Sequence, residues 1–352
     1  MGCTRSFLSH QVNSLTIVSG CSIEIESVMD RPLTHRANPE GPVETAMTYH
    51  LDIDEPFAHG IRRVTLEEID CILKQLTGPN PDWPAAVHEA RKSSKKIRAI
   101  LRLARESLGR KLYQRENLFF RDAGRQLAPI RESAARVEAF DQLAIRFSLS
   151  LEDEIWHRLR EHLIRSHLKI TENMTQNHAT VKTVASQIRA ARQRVSRWPL
   201  SGEGCSTMAI GLRRVYRQGR LALWKATHEP AVETWHEFRK QVKYLWHQTR
   251  LLRDGWPGTM DELSNSLHTL STLLGDDHDL AELGLFLEKQ SGRRFQQISK
   301  RLLELVEIRR SELLQEALPL AQRIYTEKPQ SFTCRILSYW RIARNRHRTR
   351  DV

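Results

Sequence analysis

From about residue 56 to residue 325, apolar positions recur at helical spacing, and Val/Ile-rich alternating runs are scarce. The pattern predicts an all-α chain without a substantial sheet. Pro56 opens a first helix that Gly78-Pro79 closes. Asp82, as cap, and Pro84, in the first turn, start a second that runs to about Gly109, and a third is expected over roughly 112–136. Residues 138–197 hold further helical segments, with a break near Ser148 to Ser150 and a polar stretch at 171–180. The strongest linker is Trp198-Pro199-Leu200-Ser201-Gly202-Glu203-Gly204. Beyond it, helices fit 206–227, 231–254, 259–274, 278–290 and about 293–325.

The two ends differ from the rest. Residues 1–46 mix Ser, Thr, Pro and Asn without sustained periodicity. They read as a disordered extension, or as an over-extended start with Met29 or Met47 the true first residue. The segment 331–352 carries Arg341, Arg344, Arg346, Arg348 and Arg350, and is expected to be a solvated, mobile basic tail.

The pattern restarts after the linker. Both halves contain H-E-x-R-K-x-x-K, first as His88-Glu89-Ala90-Arg91-Lys92-Ser93-Ser94-Lys95 and again as His236-Glu237-Phe238-Arg239-Lys240-Gln241-Val242-Lys243, an offset of 148 (236 − 88). The preceding helix repeats too: Gly60-Ile61-Arg62-Arg63-Val64 matches Gly211-Leu212-Arg213-Arg214-Val215 at an offset of 151 (211 − 60). Two order-preserving matches at nearly one offset indicate duplicated helical hairpins related by a pseudo-two-fold axis. Two four-helix bundles are expected, over 47–200 and 201–330.

Charge narrows the partner. Lys plus Arg number 55 against 42 Asp plus Glu, a formal net charge of +13, which favours anions without saying which. The five cysteines form no C-x-x-C, so neither a disulfide framework nor a zinc ribbon is expected, and a reducing cytoplasm is the simplest setting. No window approaches the length of apolar chain that a membrane span needs.

The repeated helices concentrate that charge. With His88 at the start of its helix, Arg91, Lys92, Lys95, Arg98, Arg102 and Arg105 share one face, while Ile97, Ile100, Leu101 and Leu108 can pack on another. The second copy places His236, Arg239, Lys240, Lys243, His247 and Arg250 on one face, with Tyr244 beside them. One basic stripe is ordinarily a solvated helix face; two with the same His, Arg, Lys and Lys point to a ligand. Arg grips two phosphate oxygens at once, Lys acts as a mobile point charge, and a histidine beside phosphate gains a proton as pH falls.

These segments, together with Leu273-Leu274-Gly275-Asp276-Asp277-His278-Asp279-Leu280 and the entry Tyr49-His50-Leu51-Asp52, resemble the CHAD (conserved histidine α-helical) domain over about 47–325. The resemblance implies two pseudo-symmetric four-helix bundles around a central basic cavity that binds inorganic polyphosphate, and association with polyphosphate granules. Carried onto this chain, the implied contacts are His88, Arg91, Lys92, Lys95 and Arg98 with His236, Arg239, Lys240 and Lys243. Arg62, Arg63, Arg213, Arg214, Arg217 and Arg220 rank second. The first copy's third helix departs from the family's Arg-Asp pair with Arg131-Glu132, and Ser93-Ser94 stands where bulkier residues are usual.

Other classes are weaker. Asp276-Asp277-His278-Asp279 could suggest a metal-dependent phosphohydrolase, but a capped helix start explains it more cheaply. That chemistry needs further His and Asp ligands on other helices, and no such set is evident. No phosphate-binding loop supports a kinase either, and no catalytic residue, metal or cofactor is assigned. Nucleic-acid binding suits the charge but has no supporting motif. Trp224, Trp235 and Trp246, each 11 residues from the next, fit core packing better than base stacking.

Overall fold

Twelve α-helices and one 3-10 turn, with no strand, account for the secondary structure of the residues described by this computed structural model: 49–79, 81–147, 154–175, 179–200, 204–289 and 293–348. The expected extension over 1–46 lies outside them, as does Arg350. Helix α1 (Phe57–Thr77) follows Pro56 and stops at Gly78, and α2 (Trp83–Leu103) starts behind Asp82 with Pro84 in its first turn. The sequence pattern ran α2 on to Gly109. It is interrupted at Ala104, the single turn α3 (Arg105–Leu108) follows, and Gly109 takes φ 75°, the left-handed region that glycine enters freely.

The expected helix over 112–136 is two helices. α4 (Arg110–Gln126) and α5 (Ala128–Arg146) are separated at Leu127, because Pro129 lacks an N–H and its ring crowds the carbonyl four residues back. Then come α6 (Glu154–Thr175), α7 (Ala179–Val195), α8 (Gly204–His228), α9 (Val232–Leu251) and the 3-10 turn Arg253–Gly255. The helices expected over 259–274 and 278–290 are one, α10 (Pro257–Glu288). Gly275-Asp276 resembles a C-cap followed by an N-cap, yet the helix continues through it. Glycine costs about 1 kcal/mol against alanine there, and burial of Leu274 and Leu280 on either side outweighs it. The run Asp276–Asp279 is therefore mid-helix and not a capped start.

After α11 (Arg293–Ile324), the expected mobile tail proves to be α12 (Pro329–Arg348). Phe332, Ile336, Leu337 and Trp340 are buried at helical spacing, and Phe332 stacks on Tyr216 of α8 with centroids 4.0 Å apart. Arg341 and Arg346 are exposed beside this apolar stripe, whereas Arg344, one turn beyond Trp340, is half-buried and lines the same recess as Trp340. Trp235 and Trp246 are buried as expected, whereas Trp224 is 51% exposed.

Four helices form a ring of contacts: α2 with α9, α9 with α10, α10 with α5, and α5 with α2. Among the described residues an apolar cluster runs from Tyr49 to Trp340, drawing on helices from both sides of the 198–204 linker. The repeated glycine has a steric reason. A Cβ on Gly211 would stand 2.2 Å from the Leu103 carbonyl oxygen, so only glycine lets α8 approach the end of α2 this closely. Among the described residues, no helix is long and apolar enough to cross a membrane.

Candidate functional site

The basic faces of α2 and α9 meet inside this ring. Lys95 is solvent-accessible, yet desolvation heads the causes that hold its ammonium well below the usual lysine range, followed by Arg239, Lys243, Arg91 and Arg131. A side chain crowded by protein but still reached by water sits on the floor of a concavity. The two copies of the motif share it: Lys243 acts on His88, and Lys95 acts on His236.

Both motif arginines rest against a glycine of a neighbouring helix. Arg91 Nη1 donates to the Gly124 carbonyl of α4, while Arg91 Nε is buried without a partner. The Arg239 guanidinium lies beside Gly275 of α10, where an added Cβ would stand 3.4 Å from Nη2. Lys92 pairs with Glu89 at 3.4 Å, and Lys240 pairs with Glu237. Further along α2, Arg102 stacks over the Tyr244 ring at 3.7 Å, and both Arg98 and Arg102 donate to Asn117 Oδ1. These two line the run of the stripe toward α4.

Burial and surrounding cations keep the site's histidines neutral. Desolvation, then Arg131, Lys95, Lys92 and Lys243, lower His88 to about 3. Desolvation, then Arg239 and Lys240, lower His236 to about 4. His247, placed on the same stripe by the sequence, is instead fully buried against Trp246 and Tyr49, and its pKa is lowered by that burial before Lys243 and Arg250 contribute.

Two cleft residues escaped the sequence assignment. Arg131 of α5 acts on His88, Arg91 and Lys95 while its guanidinium is held by Glu138 at 2.8 Å. His278 of α10 meets His236, Nδ1 to Nδ1, at 3.2 Å. A third repeat could have found them: Leu127 through Arg131-Glu132 aligns with Leu274 through His278-Asp279 at an offset of 147 (278 − 131). The acidic run is divided among neighbours, since Asp277 accepts from Arg310 of α11 at 2.9 Å, His278 faces α9, and Asp279 acts on Arg131 of α5. Among the described residues no group of three or more His, Cys, Asp or Glu could hold a metal ion.

Of the second-rank arginines, all but Arg217 have partners elsewhere. Arg62 Nη2 donates to the Trp198 carbonyl at 3.0 Å, and Arg63 is clamped by Glu55 and Glu67. Arg213 donates to Gln330, Arg214 pairs with Glu106 at 2.7 Å, Arg220 donates to the Glu327 carbonyl, and Arg217 is exposed on the outer side of α8. A cavity of about 330 Å³ lined by Trp235, Arg310, Leu314 and Leu318 is a separate space, since none of the cleft cations lines it.

Among the described residues, an all-helical arrangement with a cationic cleft built from two copies of a His-Arg-Lys-Lys helix is the class these features define. The profile of the CHAD domain matches residues 67–288, and the chain belongs to that family. Its fold is similar to the crystal structure of the CHAD domain from the plant Ricinus communis, with a TM-score of 0.51 at 14% identity, covering 82% of this chain and 97% of that one. No curated protein matches the chain.

Proposed function

We propose that the protein binds inorganic polyphosphate in the cleft between α2 and α9, through charge-assisted hydrogen bonds and without breaking a bond. The observation that carries this reading is the setting of Lys95, whose leading electrostatic neighbours are four cations from three helices and no carboxylate. Like charges crowded in this way repel one another, and an extended anion with closely spaced charges relieves the repulsion along its length. The arginine forks at positions 91 and 239 suit phosphate oxygens, and Arg91 Nε is a buried donor with no protein acceptor. In this reading α2 and α9 are related by a pseudo-two-fold axis and present the same residue types to opposite sides of one chain. Residence on polyphosphate granules in a cytoplasm follows from the ligand, and the family resemblance supports the same choice.

Affinity grows with polymer length through multivalency and falls steeply with salt. Calorimetry at one salt concentration with long-chain polyphosphate and with orthophosphate tests the reading, and the long chain is expected to bind far more tightly. Displacement of bound polyphosphate by equimolar single-stranded DNA would assign the cleft to nucleic acid. Divalent-metal-dependent phosphate release would assign it to a phosphohydrolase.

A further inference from the structure

The arginines of α8 leave a charged surface that the cleft does not use. Between Gly204 and His228 this helix contains no Asp or Glu, and neither does α12, which packs beside it. Its buried face holds Leu212, Val215, Tyr216, Gly219 and Ala226. Arg213, Arg217, Leu221, Trp224 and His228 lie on the opposite side at three- and four-residue steps, with Lys225 adjoining, and all six are exposed. Neither Arg217 nor Lys225 has a carboxylate partner among the described residues, and the partner of Arg213 is the neutral Gln330. The nearby acids are engaged or lie at the end of the ridge: Glu106 holds Arg214, Glu327 holds Arg335, and Glu229 follows the helix.

The aromatic member distinguishes this ridge from an ordinary solvated face. Trp224 stacks on His228 with centroids 4.6 Å apart and planes at 21°, and still leaves 51% of its surface open. His228 Nδ1 lies 2.8 Å from the Trp224 carbonyl, which fixes the second ring beneath the first. The product is a braced indole platform in line with unpaired cations.

We infer that the outer ridge of α8 is a second polyanion site, separate from the cleft, that binds single-stranded nucleic acid. Cations along the ridge meet the phosphates, and an unpaired base stacks on Trp224. Polyphosphate offers charge but no ring. Seating in an acidic membrane surface needs a broad apolar face, and here Leu221 and Trp224 alone stand between Arg217 and His228. A duplex keeps its bases paired and away from the indole.

The test is fluorescence anisotropy of a fluorescein-labelled oligothymidylate with the full chain, with and without saturating long-chain polyphosphate. Binding is expected to persist when polyphosphate is present. Trp224→Ala should weaken it on the order of tenfold, and Arg217→Glu should also weaken it, with neither changing the affinity for polyphosphate. Both positions are exposed, and unchanged thermal midpoints show that the variants fold. Unaltered oligonucleotide binding in both variants overturns the inference. So does complete displacement by polyphosphate, or Trp224-dependent binding to phosphatidylserine vesicles with none to the oligonucleotide. If polyphosphate itself does not bind, the cleft reading fails and the oligonucleotide titrations still decide this one.

Discussion

His236 on α9 and His278 on α10 meet Nδ1 to Nδ1 at 3.2 Å, with ring centroids 4.3 Å apart. One nitrogen donates and the other accepts, so the contact suits neutral rings and opposes a proton on both. Burial comes first among the causes that lower His278 to about 3, followed by Arg239 and by His236 itself. A polyanion laid against Arg239, Lys240 and Lys95 reverses the local field and raises both imidazoles. Binding therefore takes up protons at pH values between the free and the bound pKa. Lowering the pH from about 7.5 to about 5.5 should tighten polyphosphate binding. Calorimetry in buffers of different ionisation enthalpy should record net proton uptake. The paired change His236→Asn and His278→Asn should flatten the dependence, and an equally steep one would remove these rings from the site.

The ligand-free protein should respond in the opposite sense. His88, His236 and His278 titrate at about 3, 4 and 3 in the folded chain, below the unfolded value of about 6.5. Over that window the unfolded chain binds protons that the folded chain refuses. Stability present above about pH 6.5 is thus lost as pH falls toward about 4. The thermal midpoint of the free protein should drop across this range, and the triple Asn variant should drop less. Equal slopes would show that the three rings titrate normally.

The last helix is part of the fold. Phe332 is 1% exposed and stacked on Tyr216, so Phe332→Ala removes a packed ring and should cost about 3–5 kcal/mol. Urea unfolding is the check: the midpoint should fall with the slope unchanged. A loss below about 1 kcal/mol would mean that α12 is peripheral to the cooperative unit.

Local pattern made much of this legible. Proline and glycine marked both ends of α1, and the repeated motif led to Lys95, Lys243, Arg91 and Arg239, which the fold brings into one cleft. What escaped depended on tertiary contact. Gly275 reads as a helix stop until Arg239 is seen lying against it, and His278 reads as part of an acidic cap until His236 is found beside it. In the final helix, the arginines drew attention away from the apolar stripe of Phe332, Ile336 and Trp340. The repeated Arg-Arg pairs misled for a different reason. A repeat preserves residue types whether they meet a ligand or, like Arg63 on Glu55 and Glu67, brace the fold.

In the proposed binding mode both halves hold one polyphosphate chain at once. Lys95 of α2 and Lys243 of α9 each reach the shared cleft, so Lys95→Gln and Lys243→Gln, measured separately by calorimetry against long-chain polyphosphate, test it most directly. Each should raise Kd by on the order of tenfold, and each should reduce the salt dependence of binding. A variant in either half that binds as tightly as the wild type would contradict a site built from two helices.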